Sequence, residues 1–280
     1  MTKIIVVWGP TGAPGRTTVA INVAAELAEL GNRALLIDAD TYGGAIAPML
    51  GLVDEASGLA AACRLAEQGT LAHEDIQRLS QHVPTRSGQL HVLSGIVKTD
   101  RWPELSAERI KKVLASAGEI SDAIVVDVGF NLETDEEISS DLFAPRRNGA
   151  TLAVLKEADC IVEVSGSDAL GIARFIRAHD QLVEQFPDSL RLIVVNKVRS
   201  ALDPRGTYQA SATLSRYAGL HDILELPFDD KAVSLALATQ STLSRSALKS
   251  SLRKQLVHLA DELSKTFTKT DAQELMQVSG

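Results

Sequence analysis

A glycine-rich loop near the start of the chain has the residue types of a phosphate-binding site. Residues 9–18 read GPTGAPGRTT, after the apolar run 4–8 and before a helical stretch. In a strand–loop–helix unit, backbone N–H groups converge on a phosphate and the helix dipole adds partial positive charge. A standard phosphate loop ends in Gly-Lys-Ser/Thr, whose lysine reaches the terminal phosphates and whose hydroxyl binds Mg²⁺. Because this loop ends in Gly15-Arg16-Thr17, we interpret it as a nucleotide site with altered chemistry, the alternative being a tight turn that binds no phosphate.

Polar side chains follow four other apolar runs of the chain. They are Asp38 and Asp40 after the run 34–37, Asp127 at the end of the run 123–127, Asn196 after 192–195, and Pro227 and Asp229 after 223–226. Mg²⁺ takes one or two carboxylates together with a hydroxyl, waters and phosphate oxygens. Each of these residues alone is an ordinary turn or cap residue. Together, at the ends of neighbouring strands, they predict a magnesium–nucleotide site.

The elements that position these groups alternate along the chain. The predicted strands are 4–8, 34–37, 90–93, 123–127, 160–164, 192–195 and 223–226. The predicted helices are 18–30, 59–67, 107–116, 170–185, 210–218 and 231–239. Several strands are continuous Ile/Val/Leu runs, which are typical of parallel strands covered on both faces. We therefore predict an α/β fold, a doubly wound and mostly parallel sheet with helices on both faces, whose ligands bind beyond the carboxyl ends of the strands.

The composition favours one domain. The chain has 280 residues, of which 45% are hydrophobic, and we predict a domain over 1–267 and a disordered tail over 268–280. No apolar run approaches the roughly 20 residues that span a bilayer. Cys63 and Cys160 lie far apart in apolar contexts, which predicts reduced thiols in a cytoplasmic protein. The net charge of −8 argues against whole-surface attraction to nucleic acid and leaves a local basic patch open.

Together these motifs resemble the MinD/ParA group of deviant P-loop ATPases, over about Ile4 to Leu263. The family loop reads Lys-Gly-Gly-x-Gly-Lys-Thr-Thr, and this chain has at those positions Thr11, Gly12, Ala13, Pro14, Gly15, Arg16, Thr17 and Thr18. The substituted loop and the long connection after Asp127 look most like the CpaE/TadZ branch, which includes actinobacterial septum-site-determining or CpaE-like proteins.

The resemblance implies that ATP and Mg²⁺ are the ligands. It implies that residues 12–18 hold the phosphates, that Thr17 binds Mg²⁺, and that Asp38 and Asp127 support the metal. It also implies that Asp40 orients the attacking water. Asn196 would recognise the adenine, and Pro227 and Asp229 would line the base pocket. In this family ATP is held between two subunits, so a homodimer is implied. The implied partners are proteins of a division, pilus or partitioning apparatus, and the implied location is the cytoplasm, with membrane contact through such partners.

The departures from the family loop predict altered chemistry. Thr11 replaces a lysine that crosses the dimer interface, and Arg16 replaces a second lysine for which it is not interchangeable. Ala13 costs energy wherever the loop needs a positive φ, and Pro14 removes one backbone N–H from the loop. Phosphoryl transfer depends on positioned charge, and a trans-acting cation contributes about 10³–10⁵ in rate. We therefore expect ATP binding with slow or absent hydrolysis.

Two further segments leave alternatives open. The connection 129–150 clusters acidic residues ahead of Arg146 and Arg147, and it is either a solvated loop or a switch that senses the terminal phosphate. The last helix carries a leucine stripe with a polar face of mixed charge. This pattern favours a helix packed on the sheet over one that lies on a membrane.

Two other functions fit parts of the pattern. Gly9, Gly12 and Gly15 after a first strand, with Asp38 after the second, also suit a dinucleotide-binding oxidoreductase. No Tyr-x-x-x-Lys pair accompanies them, and Arg16-Thr17-Thr18 is typical of a phosphate loop. The third hypothesis is a scaffold that has kept the fold without its nucleotide.

Overall fold

The computed structural model describes residues 2–12, 14–52, 57–134, 146–199 and 209–278, with side chains described as far as Phe267. The strands of this part are β1 (Lys3–Trp8), β2 (Arg33–Ala39), β3 (Gln81–Pro84), β4 (Gln89–Leu93), β5 (Ala123–Val128), β6 (Cys160–Gly166), β7 (Arg191–Val198) and β8 (Leu224–Pro227). The helices are α1 (Arg16–Glu29), α2 (Ile46–Leu50), α3 (Gly58–Gln68), α4 (His73–Leu79), α5 (Ala107–Gly118), α6 (Gly149–Lys156), α7 (Ala169–Gln185), α8 (Ala210–Ala218), α9 (Asp230–Ala238), α10 (Leu243–Ser246) and α11 (Ser251–Val278), with a 3₁₀ helix over Thr99–Glu104.

The eight strands form one sheet in the order β3-β4-β2-β5-β1-β6-β7-β8. Every neighbouring pair is parallel except β3 and β4, which are antiparallel. Strands β5 and β6 are buried along their whole length, because helices cover both faces of the sheet. Helices α1 and α11 belong to the apolar core of one face, and α3, α5 and α6 to the core of the other. The predicted fold class is confirmed.

Some elements were not predicted from the sequence. Strand β3 has four residues and ends at Pro84, so it is too short to show an alternating pattern. Helices α2, α4 and α10 have seven residues or fewer, and α6 begins inside the segment 129–150 that we predicted as a long connection. The acidic residues Asp135, Glu136, Glu137 and Asp141 of that connection lie outside the described residues. The hypothesis that the connection is a switch therefore stays a prediction.

The last helix packs on the sheet. Leu252, Leu256 and Leu263 of α11 are buried in the same core as α1. Arg253 of α11 also pairs with Glu26 of α1, with Nε 2.7 Å from Oε1 and Nη2 3.0 Å from Oε2. In the described part of the chain, no helix combines the length and the apolarity that crossing a membrane requires. The tail prediction for 268–280 concerns residues whose side chains lie outside the described set, and it stays a prediction.

A charged cluster is buried beside the central strands. Glu163 of β6 is fully buried, and its Oε2 lies 2.8 Å from Nδ1 of His179 on α7. The Nε of Arg191, at the start of β7, lies 3.7 Å from the other carboxylate oxygen. The ring of Phe175 stacks on His179 with 5.9 Å between the centroids. This cluster joins β6, β7 and α7, the elements next to the glycine-rich loop.

Candidate nucleotide-binding site

The glycine-rich loop lies at the carboxyl end of β1, between β5 and β6. Gly15 ends the loop with a φ of 98°, and α1 begins at the next residue. A Cβ at Gly15 would overlap the Nδ2 atom of Asn196, which is the last buried residue of β7. The same Nδ2 donates a hydrogen bond of 2.7 Å to the carbonyl of Pro14. Asn196 therefore supports the loop directly. The predicted site residue Ala13 lies outside the described residues.

Arg16 is folded back onto its own loop. Its Nη1 donates to the carbonyls of Gly9 at 3.0 Å and Pro10 at 3.1 Å. Its Nη2 lies 3.4 Å from Oδ2 of Asp40. Both side chains are largely buried, with exposed fractions of 13% for Arg16 and 7% for Asp40. The cation at the position of the usual lysine thus holds the loop together and is charge-paired within the site.

Two carboxylates lie beneath the loop. Asp38 and Asp127 face each other across the pairing of β2 and β5, and both are buried. The hydroxyl of Thr17 donates to Oδ2 of Asp127 at 2.6 Å. Burial, and after it the charge of Asp38, raises the pKa of Asp127 well above its ordinary range. Burial likewise raises the pKa of Asp38, against hydrogen bonds from backbone N–H groups such as that of Ile46.

This pair fits a divalent cation. The Oδ1 atom of Asp127 is buried without a hydrogen-bond partner among the described residues. A buried acceptor without a partner is costly, and so are two adjacent carboxylates in a low dielectric. A cation of charge +2 would remove both costs, and carboxylate and hydroxyl oxygens are the donors that Mg²⁺ prefers. The residues that would hold it are Thr17, Asp38 and Asp127.

The loop after β2 is fixed by contacts that the sequence did not indicate. The Oδ1 of Asp40 accepts from the N–H groups of Tyr42 at 2.8 Å and Gly43 at 3.2 Å. The hydroxyl of Tyr42 donates to Asn148 at 2.7 Å, and the guanidinium of Arg147 lies 4.0 Å from the centroid of the Tyr42 ring. Arg147 therefore joins the loop after β2 to the start of α6.

A cleft of about 510 Å³ opens beside the loop. Its lining contains the predicted site residues Pro14, Gly15, Arg16, Thr17, Thr18, Asp40, Asn196, Pro227 and Asp229. Thr11 and Gly12 lie exposed at the tip of the loop, outside this lining, and Asp38 and Asp127 lie beneath it. The volume is within the range of about 300–1,000 Å³ of small-molecule sites. The structure therefore brings most of the predicted site residues together around one cleft.

The cleft is also lined by residues that were not among the predicted site residues, namely Gly43, Lys197, Phe228, Asp230, Val233 and Leu252. Lys197 and Phe228 line the cleft next to the predicted Asn196 and Pro227. The guanidinium of Arg199 lies 4.1 Å from the centroid of the Phe228 ring, which is 40% exposed. For Lys197 and Phe228, adjacency in sequence to Asn196 and Pro227 was the only signal that could have identified them as lining residues.

The predicted base-binding residues already have local partners. Besides the bond to Pro14, Oδ1 of Asn196 accepts from the N–H of Lys197 at 2.8 Å. Asp229 accepts from the N–H of Ala232 at 3.1 Å and from the hydroxyl of Ser250 at 2.7 Å. The bond from Ser250 lowers the pKa of Asp229. Both residues line the cleft, and their contact with a base stays a prediction.

The sheet order, the loop between strand and helix, and the cleft define a protein of the P-loop nucleotide-binding class. The family model for the CobQ/CobB/MinD/ParA nucleotide binding domain matches residues 5–243. Because this match spans most of the chain, the protein belongs to that family.

Solved structures share the fold. A ParA family ATPase from Chlorobium tepidum superposes with a TM-score of 0.74 at 19% identity, covering 93% of this chain and 99% of that one. The septum site-determining protein MinD of Pyrococcus horikoshii, complexed with Mg-ADP, gives 0.70 at 17% identity over 95% and 97% of the two chains. A chain of the MinC:MinD cell division protein complex of Aquifex aeolicus gives a TM-score of 0.67 at 19% identity, covering 94% of this chain and 96% of that one. No curated protein matches the sequence.

Proposed function

We propose that this protein binds ATP with Mg²⁺ and acts as a dimeric, nucleotide-dependent regulator of positioning or assembly, with slow or absent hydrolysis. The observation that carries the proposal is the carboxylate pair beneath the loop. Thr17 binds Asp127, Asp127 faces Asp38, and one oxygen of Asp127 has no partner among the described residues. A Mg²⁺ ion at this point would lie directly below phosphates held by the loop.

The roles of the other residues follow from their places around the cleft. The loop from Thr11 to Thr18 surrounds the phosphates, and the start of α1 directs its free N–H groups at them. Asn196, Pro227 and Asp229 line the same cleft, and we assign the adenine to that part of it. Bound Mg²⁺ would neutralise phosphate charge.

Slow hydrolysis is supported by the state of the two groups that would act on the terminal phosphate. Asp40, the proposed residue that orients the water, is ion-paired to Arg16 and accepts two backbone N–H bonds. Arg16 is in turn held by two carbonyls of the loop. Either group has to leave these partners before it can act on the reaction. Thr11 brings no charge to the tip of the loop.

The family and the structural neighbours support the class of role. Two of the neighbours are named as MinD proteins and one as a ParA family ATPase, and one MinD is in complex with MinC. We place this protein with proteins of that kind in the cytoplasm, as a homodimer that acts on a division, pilus or partitioning apparatus. The CpaE/TadZ-like branch fits the substituted loop.

Nucleotide binding is tested by calorimetry with MgATP, MgADP, MgGTP and NADH on the purified protein. We expect binding of MgATP, weaker binding of MgGTP, and phosphate release well below about 1 s⁻¹, the lower end of ordinary turnover. NADH binding without ATP binding would support the dinucleotide hypothesis, and binding of neither would support the scaffold. Phosphate release at or above about 1 s⁻¹ contradicts the slow-turnover part alone.

Assembly is tested in the same samples by sedimentation velocity with and without MgATP. We expect a homodimer whose population rises with MgATP, because a ligand shifts an equilibrium only toward the state that it binds better. The charge missing at Thr11 makes this coupling weak, so a partly nucleotide-independent dimer is consistent with the proposal. A strict monomer under both conditions contradicts the dimeric switch and leaves a nucleotide-binding module.

The role of Asn196 is tested with Asn196→Leu. We expect the affinity for MgATP to fall about 10-fold, since a lost hydrogen bond in a buried site costs about 1–2 kcal/mol, and the preference over MgGTP to fall as well. An amide can both donate to and accept from a base edge. Equal losses for ATP and GTP would mean that Asn196 acts only as the support of Pro14 and that the base is recognised elsewhere. Circular dichroism controls for the fold.

A further inference from the structure

Arg174 places a second cation at the tip of the glycine-rich loop. It lies in the second turn of α7, the helix that follows β6. Its Nη1 occupies the space that a Cβ on Gly12 would take, with Cζ 3.5 Å and Cδ 3.8 Å from that position. Gly12 has a φ of +108°, so an L side chain would be strained there in any case. The guanidinium therefore lies directly against the loop backbone.

The charge of Arg174 is uncompensated within the described part of the chain. No hydrogen bond or ion pair joins its guanidinium to a described residue, and the side chain is only partly exposed. Arg16, by contrast, is paired with Asp40 and donates to two carbonyls. A partly buried guanidinium without a partner has lost some of its hydration without gaining hydrogen bonds, which favours binding of an anion beside it.

The geometry also indicates which part of a nucleotide would be bound. Pro227 and Asp229 line the cleft together with Pro14 to Thr18, whereas Gly12, nearer the start of the loop, is not among its lining residues. A nucleotide whose base contacts Pro227 would lay its phosphate chain along the loop, and its last phosphate group would reach furthest toward Gly12. A planar fork of N–H donors suits a phosphate group with three free oxygens.

We propose that Arg174 binds the terminal phosphate group of the nucleotide and so makes the site selective for a nucleoside triphosphate over a diphosphate. This inference rests on the proposed function and extends it, because it assigns to α7 a binding residue that lies far from the loop in sequence. Arg174 supplies there the charge that Thr11 cannot carry.

The experiment compares MgATP and MgADP affinities of the full chain and of Arg174→Gln by calorimetry. We expect the affinity for MgATP to fall about 10- to 100-fold and that for MgADP to change less than about 3-fold, since one charge-assisted hydrogen-bonded contact is lost only with ATP. Arg174→Lys keeps the charge without the planar fork and should recover part of the loss.

The matched control is Arg177→Gln, which removes the same charge one turn further along α7 at an exposed position. It should leave both affinities within about 2-fold, because exposed charges at a distance are screened. Equal weakening of ATP and ADP in Arg174→Gln, or no change in either, overturns the inference while the nucleotide site stands. If the unmodified protein binds neither nucleotide, the proposed function fails and the inference fails with it.

Discussion

The substitution Gly15→Ala is expected to lower the affinity for MgATP at least about 100-fold, which corresponds to about 2.7 kcal/mol. Gly15 has a φ of +98°, and an added Cβ would overlap Nδ2 of Asn196. Relieving the overlap moves Asn196 away from Pro14 and shifts the N–H groups at the start of α1, which are the donors nearest to a bound phosphate. Calorimetric titration with MgATP measures the loss.

Gly219→Ala is the matched control for the backbone strain alone. Gly219 also has a positive φ, 64°, at the end of α8, and nothing lies within 4 Å of the added Cβ. We expect a loss of about 1 kcal/mol in the free energy of unfolding and an unchanged affinity for MgATP. If Gly15→Ala bound MgATP as tightly as the unmodified protein, the phosphates would have to bind away from this loop.

The substitution Glu163→Ala is expected to lower the free energy of unfolding by about 3–5 kcal/mol. Removing one partner from a buried ion pair leaves the other charge uncompensated in a low dielectric. Here the change leaves the ring of His179 without its carboxylate partner and removes the ion pair of Arg191, whose Nη2 still donates to the carbonyl of Phe186. Urea denaturation followed by circular dichroism gives the free energy by linear extrapolation.

Glu108→Ala provides the comparison with an exposed pair. Glu108 lies 3.1 Å from Lys111 on the surface of α5, and its side chain is 78% exposed. Exposed ion pairs contribute about 0–1 kcal/mol, so this variant should unfold close to the unmodified protein. A loss below about 1 kcal/mol for Glu163→Ala would show that Arg191 and His179 find other partners when the carboxylate is removed.

The main elements of the sheet were predictable because burial on both faces gives each parallel strand a continuous apolar run. The segment 123–126 is a continuous apolar run and the segment 160–164 is interrupted only by Glu163, and the fully buried strands β5 and β6 were found there. The edge strand β3, which pairs only with β4, has four residues with a single buried side chain. Such a segment has too few residues for its pattern to differ from that of a loop.

The site was predictable as far as it depends on the positions of strand ends. Asp127 and Asn196 could be placed at one edge because both lie near the carboxyl ends of strands that run in the same direction in one sheet. Contacts made by side chains across long sequence separations leave no local pattern. The bond from Asn196 to Pro14 joins residues 182 positions apart. Arg174 and Gly12, which pack on each other, are also far apart in sequence, and Arg174 belongs to no motif. Those contacts required the three-dimensional structure.

The hydrogen bonds that hold the glycine-rich loop determine at which step the loop loses its conformational entropy. Arg16 joins the carbonyls of Gly9 and Pro10, and Asn196 holds that of Pro14, so the loop is held by contacts within the protein itself. Ordering a residue costs about 1–2 kcal/mol, and this loop bears that cost when the protein folds rather than when ATP arrives. Arg16, which replaces the lysine of the family loop, therefore preorganises the binding site. A guanidinium can join two carbonyls at once, whereas an ammonium on a flexible stem has no fixed fork of donors.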